Sequence, residues 1–212
     1  APQIYVSTAC VVGTQPLAQR LTDYAAHGLC AVELGAGVAV GDSDLDRLPV
    51  ADLQLLVHNY FPPPADPFVL NLASANPVIR EQSIQLVQNA LVLSARLRAP
   101  FYSVHAGFIT DPVGFDGVGF VFPDPEGPEA EAMSQERFNQ SVALLLEDAK
   151  RLGLKLLVEN NVCPSALKGK LLLQTPDELK QLLAHFDSRL LGVLLDFGHL
   201  NVSATTWGFD PR

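Results

Sequence analysis

Long apolar runs are missing from this chain of 212 residues. None approaches the roughly 18–20 residues that a membrane-spanning helix needs, so a helical membrane protein is not expected. The opening stretch from Ala1 to Cys10 has neither a basic segment nor an apolar core, so it does not read as a secretory signal. It also lacks an initiator Met, as after removal or trimming. Cysteine is scarce: Cys10, Cys30 and Cys163 are odd in number and far apart. That usage suits reduced thiols in a cytoplasmic protein and excludes a disulfide framework. Each thiol is expected to be a small buried hydrophobe. Basic residues are outnumbered, with 14 Lys and Arg against 23 Asp and Glu and a formal net charge of −9. No basic stripe is present to track a phosphate backbone, which counts against a nucleic-acid partner. It does not decide the matter, because bound metal ions supply positive charge of their own. Nor is there a linker, an internal repeat or a low-complexity tract that would divide the chain.

What is present is apolar and regularly punctuated. Hydrophobic residues make up 48% of the sequence and charged residues 17%, as suits one globular domain with a sizeable core. Near-continuously apolar runs mark strands buried on both faces at Ile4–Ser7, Cys30–Leu34, Leu53–His58, Phe101–His105, Lys155–Glu159 and Leu190–Asp196. Helical patterns fill the gaps. Asn76-Pro77 supplies a cap and then a proline at the first helical position, and the helix behind it repeats Ile84, Val87, Leu91 and Ala95. A second helix from near Ser134 sets Phe138, Val142, Leu145, Ala149 and Leu152 on one face and stops at Gly153. A third opens with the capping box Thr175-Pro176-Asp177-Glu178 and carries Leu179, Leu182, Leu183 and Phe186 as its apolar stripe. This alternation predicts an α/β fold, a parallel sheet with helices outside, from six visible β/α units. The Pro- and Gly-rich stretch Asp111–Pro128 reads as a long loop after the fourth strand, with Phe108, Phe115, Phe120 and Phe122 in or beside it. Loops of this length often act as lids or binding loops.

The chemistry lies at the strand ends. The second strand ends near Glu33, the third at His58 and the fourth at His105. The fifth ends at Glu159 and the sixth at Asp196, with His199 three residues on. In a β/α barrel such ends converge on one mouth, where active sites sit. Histidine and carboxylate are ligands that zinc, manganese and related ions accept. Taken singly, each has an ordinary alternative. A histidine after a strand is commonly a satisfied polar residue, and Glu33 suits a contact to substrate or to a ligand. Asp196 could cap the following helix, leaving His199 at the surface. Glu159 is more telling, because a carboxylate directly after a buried strand needs partners or a shifted pKa.

Together, His58-Asn59-Tyr60, Asn71-Leu72-Ala73-Ser74, Val104-His105-Ala106-Gly107, Val158-Glu159-Asn160 and Asp196-x-x-His199 resemble, in order and spacing, the xylose isomerase-like TIM barrel superfamily. The resemblance runs from the first strand to about Ala204. That superfamily holds sugar and sugar-phosphate isomerases and epimerases, and also the nucleases of AP endonuclease family 2, the endonuclease IV-like group. The resemblance implies a single TIM (β/α)8-type barrel domain over residues 1–212, with six units visible and the C-terminal units falling beyond Arg212. Were the chain to end there, its open edge would need a partner chain, which leaves a homo-oligomer open.

The two branches imply different roles. In the isomerases, Glu159 and Asp196 would be two of four ligands to one divalent ion (Mn, Zn, Mg or Co), and His199 would touch the substrate. Glu33, His58, His105, Asn161 and Phe108 would be placed to contact it as well. In the endonucleases, His58, His105 and Glu159 would hold one zinc. Glu159 would bridge to a second zinc shared with Asp196, and His199 would begin a third site. This chain has His-Ala-Gly where endonucleases usually have His-Pro-Gly, and Asp-Phe-Gly-His where they usually have Asp-Thr-Cys-His. The expectation is therefore a metal-dependent isomerase or epimerase of a small sugar or sugar phosphate. The metal would polarise a carbonyl and its neighbouring hydroxyl. Glu159 would remove the α-proton to give an enediolate, its partner base being a C-terminal Glu expected beyond Arg212, with His199 the other catalytic residue in view. The alternatives are zinc-dependent hydrolysis of abasic DNA, with Tyr60 and Phe61 inserted into a groove, and a non-catalytic barrel.

Overall fold

Six short strands carry the architecture. The computed structural model describes residues 3–211, apart from positions 12, 14, 36–39, 41–44, 46–47, 49–52, 118 and 187–188. β1 (Val6–Ser7), β2 (Ala31–Leu34) and β3 (Gln54–Val57) form one parallel ladder in that order. β4 (Phe101–His105), β7 (Lys155–Glu159) and β8 (Leu191–Leu194) form a second. β3 packs beside β4, so the two ladders make one arc. A single core cluster joins them, with Val32, Leu34, Leu55 and Val57 from the first and Tyr102, Val104, Leu156 and Val158 from the second.

Helices α1 (Leu17–Ala26), α2 (Pro77–Arg96), α3 (Ala130–Leu152), α4 (Pro176–Phe186) and α5 (Phe197–Trp207) alternate with the strands. Their ends follow local chemistry. Asn76 caps α2 by accepting from the Val78 N–H, with Pro77 first in the helix. Gly153 ends α3 in left-handed backbone at φ 69, which glycine adopts without a Cβ clash. Thr175 donates to the Glu178 carboxylate at 2.7 Å ahead of α4. Along α3, Phe138, Val142, Leu145 and Ala149 are fully buried. Each large one contributes on the order of 2 kcal/mol by leaving water.

The structure departs from expectation in several places. β8 stops at Leu194 instead of running to Asp196. Cys10 and Cys30 are exposed and only Cys163 is buried. Leu183 is exposed on α4. The 111–128 segment folds back as an antiparallel hairpin of β5 (Gly114–Phe115) and β6 (Phe120–Val121). Total exposed area is 11677 Å², above the roughly 9,600 Å² of a compact monomer of this mass, as an arc with open edges would give. Among the described residues no helix is long and apolar enough to cross a membrane.

Candidate active site

The β4–β7–β8 ladder levels the first groups. His105 and Glu159 are register partners at the ends of β4 and β7. Leu194 pairs with Glu159 across β8, and the chain then turns into α5. Asp196 caps that helix, its Oδ1 accepting from the His199 N–H at 2.8 Å. Capping by Oδ1 leaves the second carboxylate oxygen on the side of the His199 ring. The same turn brings the His199 ring back over Glu159, with Nδ1 3.4 Å from Oε1. Asp196 Oδ2 lies 3.9 Å from His199 Nε2. On the other side His105 Nε2 is 3.8 Å from Glu159 Oε2, and the two imidazole centroids are 5.9 Å apart.

Amide and carbonyl partners hold these groups. Asn160 Nδ2 donates to the Asp196 carbonyl at 3.1 Å, and its Oδ1 accepts from the Asp196 N–H at 2.7 Å. One side chain thus extends the β7–β8 pairing beyond the strands. His199 Nδ1 lies 2.9 Å from the Asn160 carbonyl. A carbonyl only accepts, so Nδ1 carries a proton, and in the neutral ring the lone pair lies on Nε2. His58, just past β3, is held the same way, with Nδ1 2.7 Å from the Asn59 carbonyl. Asn161 is buried and donates to the Gly107 and Leu172 carbonyls, both at 2.8 Å. It borders the cleft while its amide hydrogens secure two loops. Gly107 sits at φ 84, where an added Cβ would come within 3.1 Å of Asn71 Oδ1. That oxygen accepts from the Ala73 and Phe108 N–H groups, so Asn71 staples the loop after β4.

Glu159 is only 6% exposed. Burial raises its pKa; His199 and His58 pull it back, and Asp196 and Glu33 push it further up. Glu33 and His58 therefore reach this carboxyl electrically, and the strand-end groups share one mouth. Burial lowers the His105 pKa to about 4, helped by His199 and His58, so its ring is neutral near pH 7.

Glu159, Asp196 and His199 present ligand atoms that all lie within 4.8 Å of one another. Atoms adjacent around one ion at about 2.0–2.2 Å are roughly 3–3.6 Å apart, so the trio would draw closer together to share one. Two carboxylates and an imidazole suit zinc, manganese and similar ions. Among the described residues His58 and His105 do not join a second such group.

Above His105 and His199 opens a cleft of about 520 Å³, walled by Tyr60, Phe68, Phe108 and Phe120 among others. Phe108 packs on Phe122 with centroids 4.8 Å apart. Phe120 reaches the cleft from the hairpin, edge-on to Phe115 at 5.7 Å. The Tyr60 hydroxyl donates to the Phe68 carbonyl at 2.5 Å and accepts from the Phe68 N–H at 2.8 Å, closing one wall into a clasp. Phe61 is sealed in the core at 0% exposure. Sequence reasoning missed the clasp and the tie made by Asn160. An amide directly after the Glu159 carboxylate was the available signal for the second.

Residues 23–211 match the protein family described as xylose isomerase-like TIM barrel. Among solved structures, a D-tagatose 3-epimerase-like protein superposes with a TM-score of 0.69 at 20% identity, covering 97% of this chain and 67% of that one. An L-ribulose 3-epimerase gives 0.66 at 16%, covering 94% and 62%. A protein from Thermus thermophilus, soaked with ZnCl2, gives 0.61 at 20%, covering 96% and 72%. The chain thus spans 62–72% of the length of these neighbours, and at such identities the likeness is one of fold. No curated protein matches the sequence.

Proposed function

The chain belongs to the xylose isomerase-like TIM barrel family, and from that premise we propose that the whole protein is a divalent-metal-dependent isomerase or epimerase of a sugar or sugar phosphate. The observation that carries this reading is the grouping of Glu159, Asp196 and His199 within 4.8 Å beneath a cleft of about 520 Å³. Glu159 and Asp196 would hold the ion, with further ligands from the rest of the protein. When bound, the ion supplies polarisation of a carbonyl and its neighbouring hydroxyl.

The remaining steps fall to the chain's own side chains. Glu159 takes the proton from the carbon beside the carbonyl, leaving an enediolate, and returns it to the neighbouring carbon on the same face; return to the opposite face falls to a second carboxylate. His199 has its tautomer set by the Asn160 carbonyl, so Nε2 accepts a hydrogen bond from a substrate hydroxyl and orients it. Neutral His105 contacts the substrate beside it. Phe108 and Phe120 cover the reacting carbons and exclude water.

Phosphodiester hydrolysis by a zinc cluster is the weaker reading. It would gather His58, His105 and Glu159 around one ion, and the trio found is a different one. Neither aromatic residue expected to enter a groove is free to do so: Phe61 is buried, and the Tyr60 hydroxyl is engaged at Phe68.

The test is a count of bound ions in the full-length wild type and in His105→Ala, together with turnover of D-tagatose and L-ribulose. About one ion per chain in both proteins, with turnover impaired in the variant by roughly tenfold or more, is the expected outcome. Two or three ions, loss of one in His105→Ala and cleavage of abasic DNA by the wild type would overturn the assignment. Absence of any ion and any turnover would mark a non-catalytic barrel.

A further inference from the structure

Asn59 lies between two residues that the fold holds in place. His58 donates its Nδ1–H to the Asn59 backbone carbonyl at 2.7 Å. Tyr60 takes left-handed backbone at φ 64, a conformation that residues other than glycine adopt at a cost and that clusters at functional sites. Asn59 itself is 7% exposed and lines the cleft with His105 and His199. Its side-chain carbonyl has no hydrogen-bond partner among the described residues. Buried polar groups are nearly always paired, and an unpaired one destabilises the fold. Buried atoms of Arg20, Ser94, Tyr102 and Gln174 also lack partners, but none of those residues borders this cleft.

We propose that Asn59 is a substrate-orienting residue whose side-chain amide takes up a neutral hydroxyl of the sugar. A sugar presents hydroxyls in several directions at once. Those that face Tyr60, Phe68, Phe108 and Phe120 meet aromatic and apolar surface. Two side-chain amides border the cleft, Asn59 and Asn161, and Asn161 already donates to the Gly107 and Leu172 carbonyls. The unpaired Asn59 oxygen is buried as it stands; half a turn about the last side-chain torsion exchanges it with the NH2 without changing shape, and the amide turns in this way to present its oxygen to the cleft. The backbone on either side is fixed, so one torsion alone has to turn, and the amide then selects one hydroxyl geometry. This inference rests on the isomerase reading above.

The experiment uses the full-length protein loaded with Mn2+ and D-tagatose and L-ribulose as probes. It measures KM, kcat, bound metal and the thermal midpoint. Asn59→Ala is expected to raise KM about tenfold, the worth of one hydrogen bond to an uncharged group. Its kcat should change less than about threefold, because the contact is made equally before and during reaction. Bound metal should be unchanged and the midpoint no lower, since the variant loses a buried carbonyl without a partner. Asn59→Asp keeps an acceptor of the same shape and should hold KM near the wild-type value. A KM unchanged in Asn59→Ala, or raised equally in both variants, overturns the proposal. So does an Asn59→Ala chain that melts early or fails to fold, which would make the residue structural. A wild type that turns over neither sugar fails before any variant is compared; that result removes the isomerase reading and this inference with it.

Discussion

In the β1–β2–β3 half of the arc, Glu33 lies within β2 and His58 follows β3 with its Nδ1 on a neighbouring backbone carbonyl. Both act on Glu159 through charge. In the β4–β7–β8 half, Glu159 is buried, and Asp196 and His199 are tied to the strand before them through Asn160. The side chains ending the two halves are of the same kinds. The difference lies in the hydrogen bonds behind them, which gather one set into a single donor group and leave the other along the rim. Metal-ligand geometry depends on such supporting bonds as much as on the ligands.

Removing the centre of the stronger half should have the largest effect. Glu159→Gln is expected to lower turnover by about a hundredfold to ten-thousandfold and to reduce bound metal, while the fold survives. The metal-free variant should melt above the wild type at neutral pH. Burial raises the Glu159 pKa in the fold, so its stabilising contribution is present below the unfolded value near 4.5 and is lost as pH rises through the raised folded value. At neutral pH the buried carboxylate opposes folding, and the amide does not. The melting advantage should therefore shrink towards pH 4. Unchanged metal content and turnover would refute the role given to Glu159.

Asn160→Ala should come next. It cuts both bonds to the Asp196 backbone, and metal affinity should fall about 10–100-fold. The fold should lose about 1–2 kcal/mol in denaturant titration. Wild-type affinity in this variant would mean that the cross-strand tie is not what separates the two halves.

Glu33→Gln should matter least. It removes one negative charge from the surroundings of Glu159, and kcat and KM should each move by no more than about threefold, the scale of a partly screened charge. Loss of bound metal in Glu33→Gln would place it among the ligands and erase the contrast.

Much of the fold and part of the site were legible in the order of residues. Apolar runs marked the six strands of the two parallel ladders, and Asn76-Pro77, Thr175 to Glu178 and Gly153 marked helix ends. Each of those signals acts over a few residues, so the sequence carries it directly. The strand-end positions of His105 and Glu159 followed for the same reason. Other features depend on chain segments that meet only after folding. Asn160 reaches Asp196 across 36 residues, His199 reaches Asn160 across 39, and Asn161 reaches Gly107 across 54. No periodicity encodes those meetings. Packing likewise left Cys10 and Cys30 exposed, where residue type alone pointed to burial. The sequence by itself determined the six parallel strands, three of the helices and the reactive groups near the strand ends, because dihedral preference, capping and burial pattern are local. Only the tertiary structure decided which of those groups stand within 4.8 Å of one another, because that separation is set by strand register and by long-range hydrogen bonds.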